Sequence, residues 1–430
     1  MRRALEKYAL SITGLFQKRF LTCGWIKQKT YILQNRFSIV QLAAYKIALM
    51  PGDGIGPEVV GEAVKIGSTV LETLGIPAFF ENFPNGAEHY LKTGETLSEE
   101  TLRKLKGFDA IFFGAVGDPR VKPGVLEKGI LLKLRSSLDL YVNLRPVRLL
   151  KGVETPLRGF GHGDIDFVVI RENTEDFYVD MGGRVDAGSR IFEFTVNTGG
   201  AKGSRYRVEV ESKSGEAFQI GVISRKGAER IIRFGFEYAA KRGIRLVTFV
   251  DKANVLTEAY GLWRETVEKI GGEYRGMVEA EFMYVDAAAL HMVLNPRRFK
   301  VIVSPNMFGD ILTDLGAAIQ GGLGFAPSGN INPEGTSMFE PVHGSAPDKA
   351  GKNIANPTAA ILTFSLMLEH LWSRSGDERL LNASRIVEKA VENVLASGRF
   401  KTVDMGGNTS TREMGDAVLA EAERLVHSGR

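Results

Sequence analysis

The stretch Phe299-Lys300-Val301-Ile302-Val303-Ser304-Pro305-Asn306-Met307-Phe308-Gly309-Asp310-Ile311-Leu312-Thr313-Asp314 decides the architecture. Residues 299–303 are mostly apolar and read as a buried strand, and from Asn306 the pattern becomes helical. Asp310 and Asp314 stand four residues apart, so on a helix both carboxylates leave one face, a turn apart. Their neighbours Phe308, Ile311, Leu312 and Leu315 are apolar. Two acids on one face of a half-buried helix repel each other unless water reaches them or a cation lies between them. Oxygen-only ligation of that kind suits Mg²⁺ or Mn²⁺, and a solvated acidic face is the plainer alternative.

The same change, from a short apolar run to a polar or glycine-rich cluster, recurs along the chain. Residues 46–50 lead into Pro51-Gly52-Asp53-Gly54-Ile55-Gly56-Pro57-Glu58, and a helical stripe of Val60, Ala63, Val64, Gly67, Leu71 and Leu74 follows. Residues 109–113 end in Gly114-Ala115-Val116-Gly117, residues 166–170 in Arg171, and residues 246–250 in Asp251-Lys252. Strands separated by helical stretches imply an α/β fold with a largely parallel sheet. Such sheets bind ligands beyond the carboxyl ends of their strands. Residues 191–224 differ: apolar and polar residues alternate there with glycines between, which reads as a protruding antiparallel arm.

A chain of 430 residues, 44% hydrophobic and 25% charged, can build a globular protein of two domains or one two-lobed unit. No apolar run reaches membrane-spanning length, so no membrane role is expected. The formal net charge of +4 is uneven. Residues 1–44 carry eight Lys/Arg against the single acid Glu6, and removing that excess leaves the rest near −3. Nothing therefore points to a nucleic-acid protein. This basic, acid-poor segment reads as a transit peptide or as sequence ahead of the true start. The first implies an organelle matrix, the second a cytoplasmic protein. The one cysteine, Cys23, lies in the same segment, so the body has neither disulfides nor a thiolate nucleophile.

Several constellations could carry chemistry. Residues 134–146 hold Arg135 and Arg145 in an otherwise apolar context, and Arg171 ends the third apolar run. A guanidinium forks onto a carboxylate through two parallel hydrogen bonds, and three of them converging would hold a dicarboxylic acid. Tyr178 places a phenol downstream of Arg171. Lys252 follows a buried strand, and a lysine close to arginines loses proton affinity and becomes a usable base. The turn 52–56 lacks the spacing of a dinucleotide fingerprint and serves equally well as a conformational turn. Residues 339–358 form a loop rich in small residues, past which a planar or phosphorylated ligand could approach the backbone.

Together these residues resemble the β-decarboxylating dehydrogenases, which act on isopropylmalate, isocitrate, homoisocitrate, tartrate and D-malate. GDGIGPE, LRxxxDLYxNLRP, RENTEDFY, NMFGDILTDL and EPVHGSAPDxAGKNIANP occur here in the family's order, from about residue 46 to the C-terminus. The resemblance implies an isopropylmalate dehydrogenase-like fold: two α/β domains sharing a mostly parallel sheet core, with a β arm at the subunit interface. Residues 45–144 and 299–430 would form the cofactor-side domain. Residues 145–298 would form the other, with a dimerisation arm near 184–224. The implied activity is NAD-dependent oxidation of a 2-hydroxy diacid followed by loss of its β-carboxylate.

The resemblance also implies roles for individual residues. Arg135, Arg145 and Arg171 would bind the malate carboxylates, and Leu131 would line the pocket for the substrate's third substituent. Asp310, Asp286 and Asp314 would hold Mg²⁺ or Mn²⁺, Lys252 would be the base and Tyr178 the acid. His343, Gly344, Ser345, Ala346, Asp348 and Asn356 would bind the cofactor. Asp348 stands where NADP-using relatives carry lysine, and a carboxylate accepts from ribose hydroxyls but repels a 2′-phosphate, which favours NAD. In the family the residues matching Lys252 and Asp286 come from the partner subunit, so a homodimer with shared active sites is expected. An apolar Leu131-Leu132 disfavours isocitrate. Lys128 replaces the glutamate usual in isopropylmalate enzymes, and residues 163–167 and 182–185 resemble the tartrate/D-malate branch. Residues 252–255 resemble the isopropylmalate type, so 3-isopropylmalate ranks first and tartrate or D-malate second.

Overall fold

The apolar runs form strands and the amphipathic stretches form helices. The computed structural model describes residues 44–198 and 201–428; the expectations for the N-terminal segment, Ala44 apart, lie outside the described residues. Strand β1 (Tyr45–Gly52) runs into helix α1 (Gly56–Thr73), then β2 (Ala78–Asn82), α2 (Ala87–Thr93), α3 (Glu99–Leu105) and β3 (Ala110–Ala115). A π-helical turn, Glu127–Leu132, continues into α4 (Lys133–Ser137), β4 (Val142–Arg148) and β5 (Asp166–Glu172). The arm contains β6 (Gly182–Val185), β7 (Gly188–Thr198), β8 (Ala201–Ser212) and β9 (Glu216–Gln219). Next come α5 (Arg225–Lys241), β10 (Leu246–Asp251), α6 (Thr257–Gly271), β11 (Glu279–Tyr284) and α7 (Val285–Leu294). The chain continues through β12 (Val301–Ser304), α8 (Asn306–Ile319), β13 (Pro327–Ile331) and β14 (Ser337–Pro341). Helices α9 (Thr358–Ser375), α10 (Glu378–Ala396) and α11 (Thr411–Ser428) complete it.

One ten-stranded sheet runs through the molecule in the order β11-β10-β12-β5-β4-β13-β14-β3-β1-β2. Both flanks are parallel. The centre, where β13 and β4 meet, is antiparallel. The arm forms two antiparallel pairs, β7 with β8 and β6 with β9, as its alternating pattern predicts. Helix α1 buries Val60, Ala63, Gly67 and Leu71 as expected, and also Val59, Ile66 and Val70. Its buried face is wider than one stripe because α9 and α11 pack on it besides the sheet. Phe364 of α9 meets Phe112 of β3 edge-on, with ring centroids 5.3 Å apart. Among the described residues no helix is long and apolar enough to cross a membrane.

Candidate active site

Parallel pairing of β12 with β5 sets Ser304 beside Arg171 at the carboxyl ends of both strands. Helix α8 starts there. Its first turn is capped from outside: Asp176, held at φ +65°, accepts from the Met307 N–H at 2.9 Å, which suits an anion at a helix N-terminus. Asn306 accepts from Arg171 Nε at 2.9 Å and donates to the Glu175 carbonyl at 3.0 Å. Asp310, one turn on, pairs with the Arg171 guanidinium and accepts from the Tyr178 hydroxyl at 2.6 Å.

Arg145 reaches the same helix from β4. Its guanidinium donates to Asn143 at 2.6 Å and to Thr313 at 2.7 Å, and lies 3.6 Å from Asp310 and 3.9 Å from Asp314. Arg135 comes from α4 and donates to Glu340 at 3.1 Å; its Nε is buried without a hydrogen-bond partner. The three arginines line one cleft of about 260 Å³ together with Leu131, Tyr178, Asp310, His343 and Gly344. Burying three like charges together is costly unless anions answer them. Asp310 and Glu340 answer in part.

The charge states follow from this packing. Burial first, then repulsion from Arg145, pushes Arg171 down to about 9, so it is still cationic at neutral pH. Burial raises Asp310, but Arg171, Tyr178, Arg145 and Arg135 outweigh it and hold the carboxyl below its ordinary range. Burial and the hydrogen bond to Asp310 push the Tyr178 phenol up to about 12, which keeps its proton in place. Partial burial also lowers His343, leaving a neutral imidazole.

Lys252 and Asp286 are not in this cleft. They pair with each other at 2.9 Å, Asp286 at the start of α7 and Lys252 just past β10. Lys252 therefore faces an acid within its own chain rather than the arginines its position suggested. Asp314 is on the same helix face as Asp310 but its side chain is 72% exposed. Among the described residues no three His, Cys, Asp or Glu side chains are grouped to hold a metal. The oxygen donors of Asp310 and Asp314 suit Mg²⁺ or Mn²⁺, and the set is short of a full shell until further oxygens join it.

On the cofactor side, His343 Nε2 is shut from solvent and has no hydrogen-bond partner, an orphaned donor or acceptor at the cleft. Gly344 is exposed and Ser345 buried. Ala346 takes φ +39°, and Asp348 is exposed, 3.8 Å from Lys349. Of these residues, His343 and Gly344 line the cleft. Asn356 is placed differently. It donates to Asp404 at 3.0 Å and accepts from the Thr358 N–H at 3.0 Å, so its contacts fix the loop before α9. The 52–56 turn has a conformational reason. Gly54 has φ +61°, a Cβ there would stand 1.9 Å from the Ser345 carbonyl oxygen, and the Ile55 N–H donates to that oxygen at 2.8 Å. The turn buttresses the loop.

Sequence reading missed the buried amides behind the arginines. Asn330 accepts from Asn143 at 3.0 Å and from Asn173 at 2.9 Å, and donates to Glu340 at 2.7 Å. These join β4, β13 and β14 across the antiparallel centre of the sheet. Asn143, set between Val142 and Leu144, was the available signal.

The whole of residues 46–418 matches the model of the isocitrate/isopropylmalate dehydrogenase family. The 3-isopropylmalate dehydrogenase of Thermobifida fusca is 46% identical over 89% of this chain and 98% of its own length. That of Corynebacterium efficiens is 46% identical over 87% and 98%. Among solved structures, isocitrate dehydrogenase from Methylococcus capsulatus matches with a TM-score of 0.73 at 35% identity, over 88% of this chain and 99% of that one. The chain belongs to the isocitrate/isopropylmalate dehydrogenase family.

Proposed function

We propose that this chain is a 3-isopropylmalate dehydrogenase of leucine biosynthesis, using NAD and a divalent cation. The observation that carries the reading is the cleft itself: three buried guanidinium groups around Asp310, with the apolar Leu131 as a wall. The relatives at 46% identity that bear this name support it.

Arg135, Arg145 and Arg171 grip the two malate carboxylates. Asp310 and Asp314, with the partner subunit's Asp286, would hold Mg²⁺ or Mn²⁺, and the loop from His343 to Asp348 would hold NAD. Bound there, the cation would supply Lewis acidity toward the substrate's C2 oxygen, and NAD would accept hydride. The partner subunit's Lys252 takes the proton of the C2 hydroxyl as the hydride leaves C2. The bond from C3 to its carboxylate then breaks, CO₂ departs, and the electron pair stays as the enolate. Tyr178, still protonated at neutral pH, returns a proton to C3.

Assembly as a homodimer is part of this proposal. Val255, Leu256, Leu290, Val293, Leu294 and Ile311 are exposed large apolar side chains. They lie on the segments that carry Lys252, Asp286 and Asp310, where a large apolar surface marks an interface. The arm β6–β9 would clasp the partner. Cleft closure is part of the same reading: since β12 pairs with β10 and β5, α8 would move with residues 145–298.

The test is a substrate panel with NAD and Mn²⁺. NADH formation with 3-isopropylmalate should outpace D-malate, tartrate and isocitrate at equal concentration. A wide margin for D-malate or tartrate would overturn the substrate while leaving the chemistry.

A further inference from the structure

Beneath the cleft a chain of buried amides runs from one arginine to another, and strand register puts it there. Ser304 of β12, Arg171 of β5, Asn143 of β4 and Asn330 of β13 are successive register partners. Directly paired residues share a face of the sheet, so these four make one row across it. Residues two apart on a strand also share a face, which adds Arg145 beside Asn143. Asn143 and Asn330 are fully buried at the antiparallel centre, and neither lines the cleft.

The two ends of the chain dictate how each amide is turned. Arg145 Nε can only donate, so Asn143 must offer it oxygen, which it does at 2.6 Å. The Asn143 amide nitrogen is then free to donate to Asn330 Oδ1, 3.0 Å away. At the other end a carboxylate can only accept, and Asn330 Nδ2 donates to Glu340 Oε1 at 2.7 Å. The same oxygen accepts from Arg135 Nη2 at 3.1 Å. Arg135 and Arg145 thus stand at opposite ends of one relay through Glu340, Asn330 and Asn143. Asn173 also donates to Asn330 Oδ1, at 2.9 Å, but its other bond is to the Leu140 carbonyl at 2.9 Å. No arginine hangs on that branch.

We infer that Asn330 is a positioning residue for the substrate: without touching it, the amide fixes the aim of Arg135 relative to Arg145, so that one pose of the diacid meets both. The inference rests on the reading of the cleft as a site for a 2-hydroxy diacid. Take the Asn330 amide away, and the Asn143 N–H is buried with no acceptor. An unmet buried donor is costly, and turning the Asn143 amide over to relieve it would set its N–H against Arg145 Nε. Glu340 Oε1 would lose one of its two donors, and Arg135 a fixed anchor. Arg135 Nε, buried without a partner, is a donor left for a substrate oxygen, and its direction matters only if the guanidinium is held still.

The experiment measures steady-state kinetics with NAD and Mn²⁺ in the wild type, Asn330→Leu, Asn330→Ser and Asn173→Leu, on the diacid that the wild type turns over fastest. Asn330→Leu fills the space and makes none of the three bonds. It should lower kcat/KM by about tenfold, chiefly through a higher KM for the diacid, while the KM for NAD stays near wild type. Asn330→Ser, too short to reach its neighbours, should move the same way and serves if the leucine variant does not fold. Asn173→Leu removes a bond to the same amide; it should lower the thermal midpoint and leave the KM for the diacid near wild type. A folded Asn330 variant with wild-type kinetics, an equal rise in KM for the diacid in Asn173→Leu, or a KM for NAD that rises in step would each overturn the inference. A wild type that prefers D-malate would change the functional reading and leave this comparison intact. A wild type inactive on every 2-hydroxy diacid would sink both.

Discussion

Two charged clusters in this chain differ in how complete they are. Around Arg171 the groups are buried and cross-linked: Asn306, Asp310, Tyr178, Arg145 and Thr313 hold one another. Lys252 and Asp286 pair with each other at the surface, and the Asp286 side chain is 67% exposed. A group fixed by several partners is ready to orient substrate, whereas an exposed ion pair contributes little by itself. On the proposed reading, one protomer carries the binding half of the site, and the base of the proton-transfer half would lie on its surface, flanked by apolar side chains that another protomer would cover.

Breaking the unfinished half should have the largest effect. Lys252→Met removes the amine and should lower kcat by about 10²–10⁴-fold. NAD binding, followed by quenching of protein fluorescence, should be unchanged. Residual turnover near wild type would assign the base elsewhere. Next, Arg171→Lys keeps the charge but not the fork. It should cost about 10²-fold in kcat/KM, because the substrate and Asp310 are both displaced from a single geometry. A change confined to a few-fold in KM would mean that Arg171 serves packing alone.

The third prediction concerns the floor of the binding half. Glu172, next to Arg171, is buried, and burial first, then repulsion from Glu175, pushes it up to about 7. In the unfolded chain it titrates near 4.5. Its contribution to stability is thus fully present below about 4.5 and is lost as pH rises through about 7, by at most about 3 kcal/mol. The thermal midpoint should fall between pH 5 and pH 8 and fall less steeply in Glu172→Gln, as calorimetry can read. Equal slopes in both proteins would contradict the assignment. The smallest effect is expected at Asp314, which is largely exposed. Asp314→Asn should raise the Mg²⁺ concentration for half-maximal activity while leaving the KM for substrate nearly unchanged.

Much of the binding half was legible in the sequence. The apolar runs ending in Gly114, Arg171 and Asp310 became strands and helix starts whose polar ends face one cleft, because strand period and helix period are local properties. The arm was legible for the same reason. The antiparallel centre of the sheet was not, since pairing of β13 with β4 joins segments nearly two hundred residues apart and no local pattern specifies it. The amide network around Asn330 depends on that pairing. The π turn was also invisible: Lys128 and Glu127 are adjacent and both charged, and only three-dimensional register decides which one enters the cleft. The role of Asn356 and of the 52–56 turn in shaping the loop likewise depends on contacts made far along the chain.

On the proposed function, a working site would take Asp310 from one protomer and Lys252 from the other. Subunit complementation tests it most directly, with Lys252→Met and Asp310→Asn chains assayed apart and after co-refolding. Each alone should be inactive. A random mixture should recover about one quarter of wild-type activity, since half of the dimers hold one intact site of two. A mixture as inactive as its parents would contradict the claim.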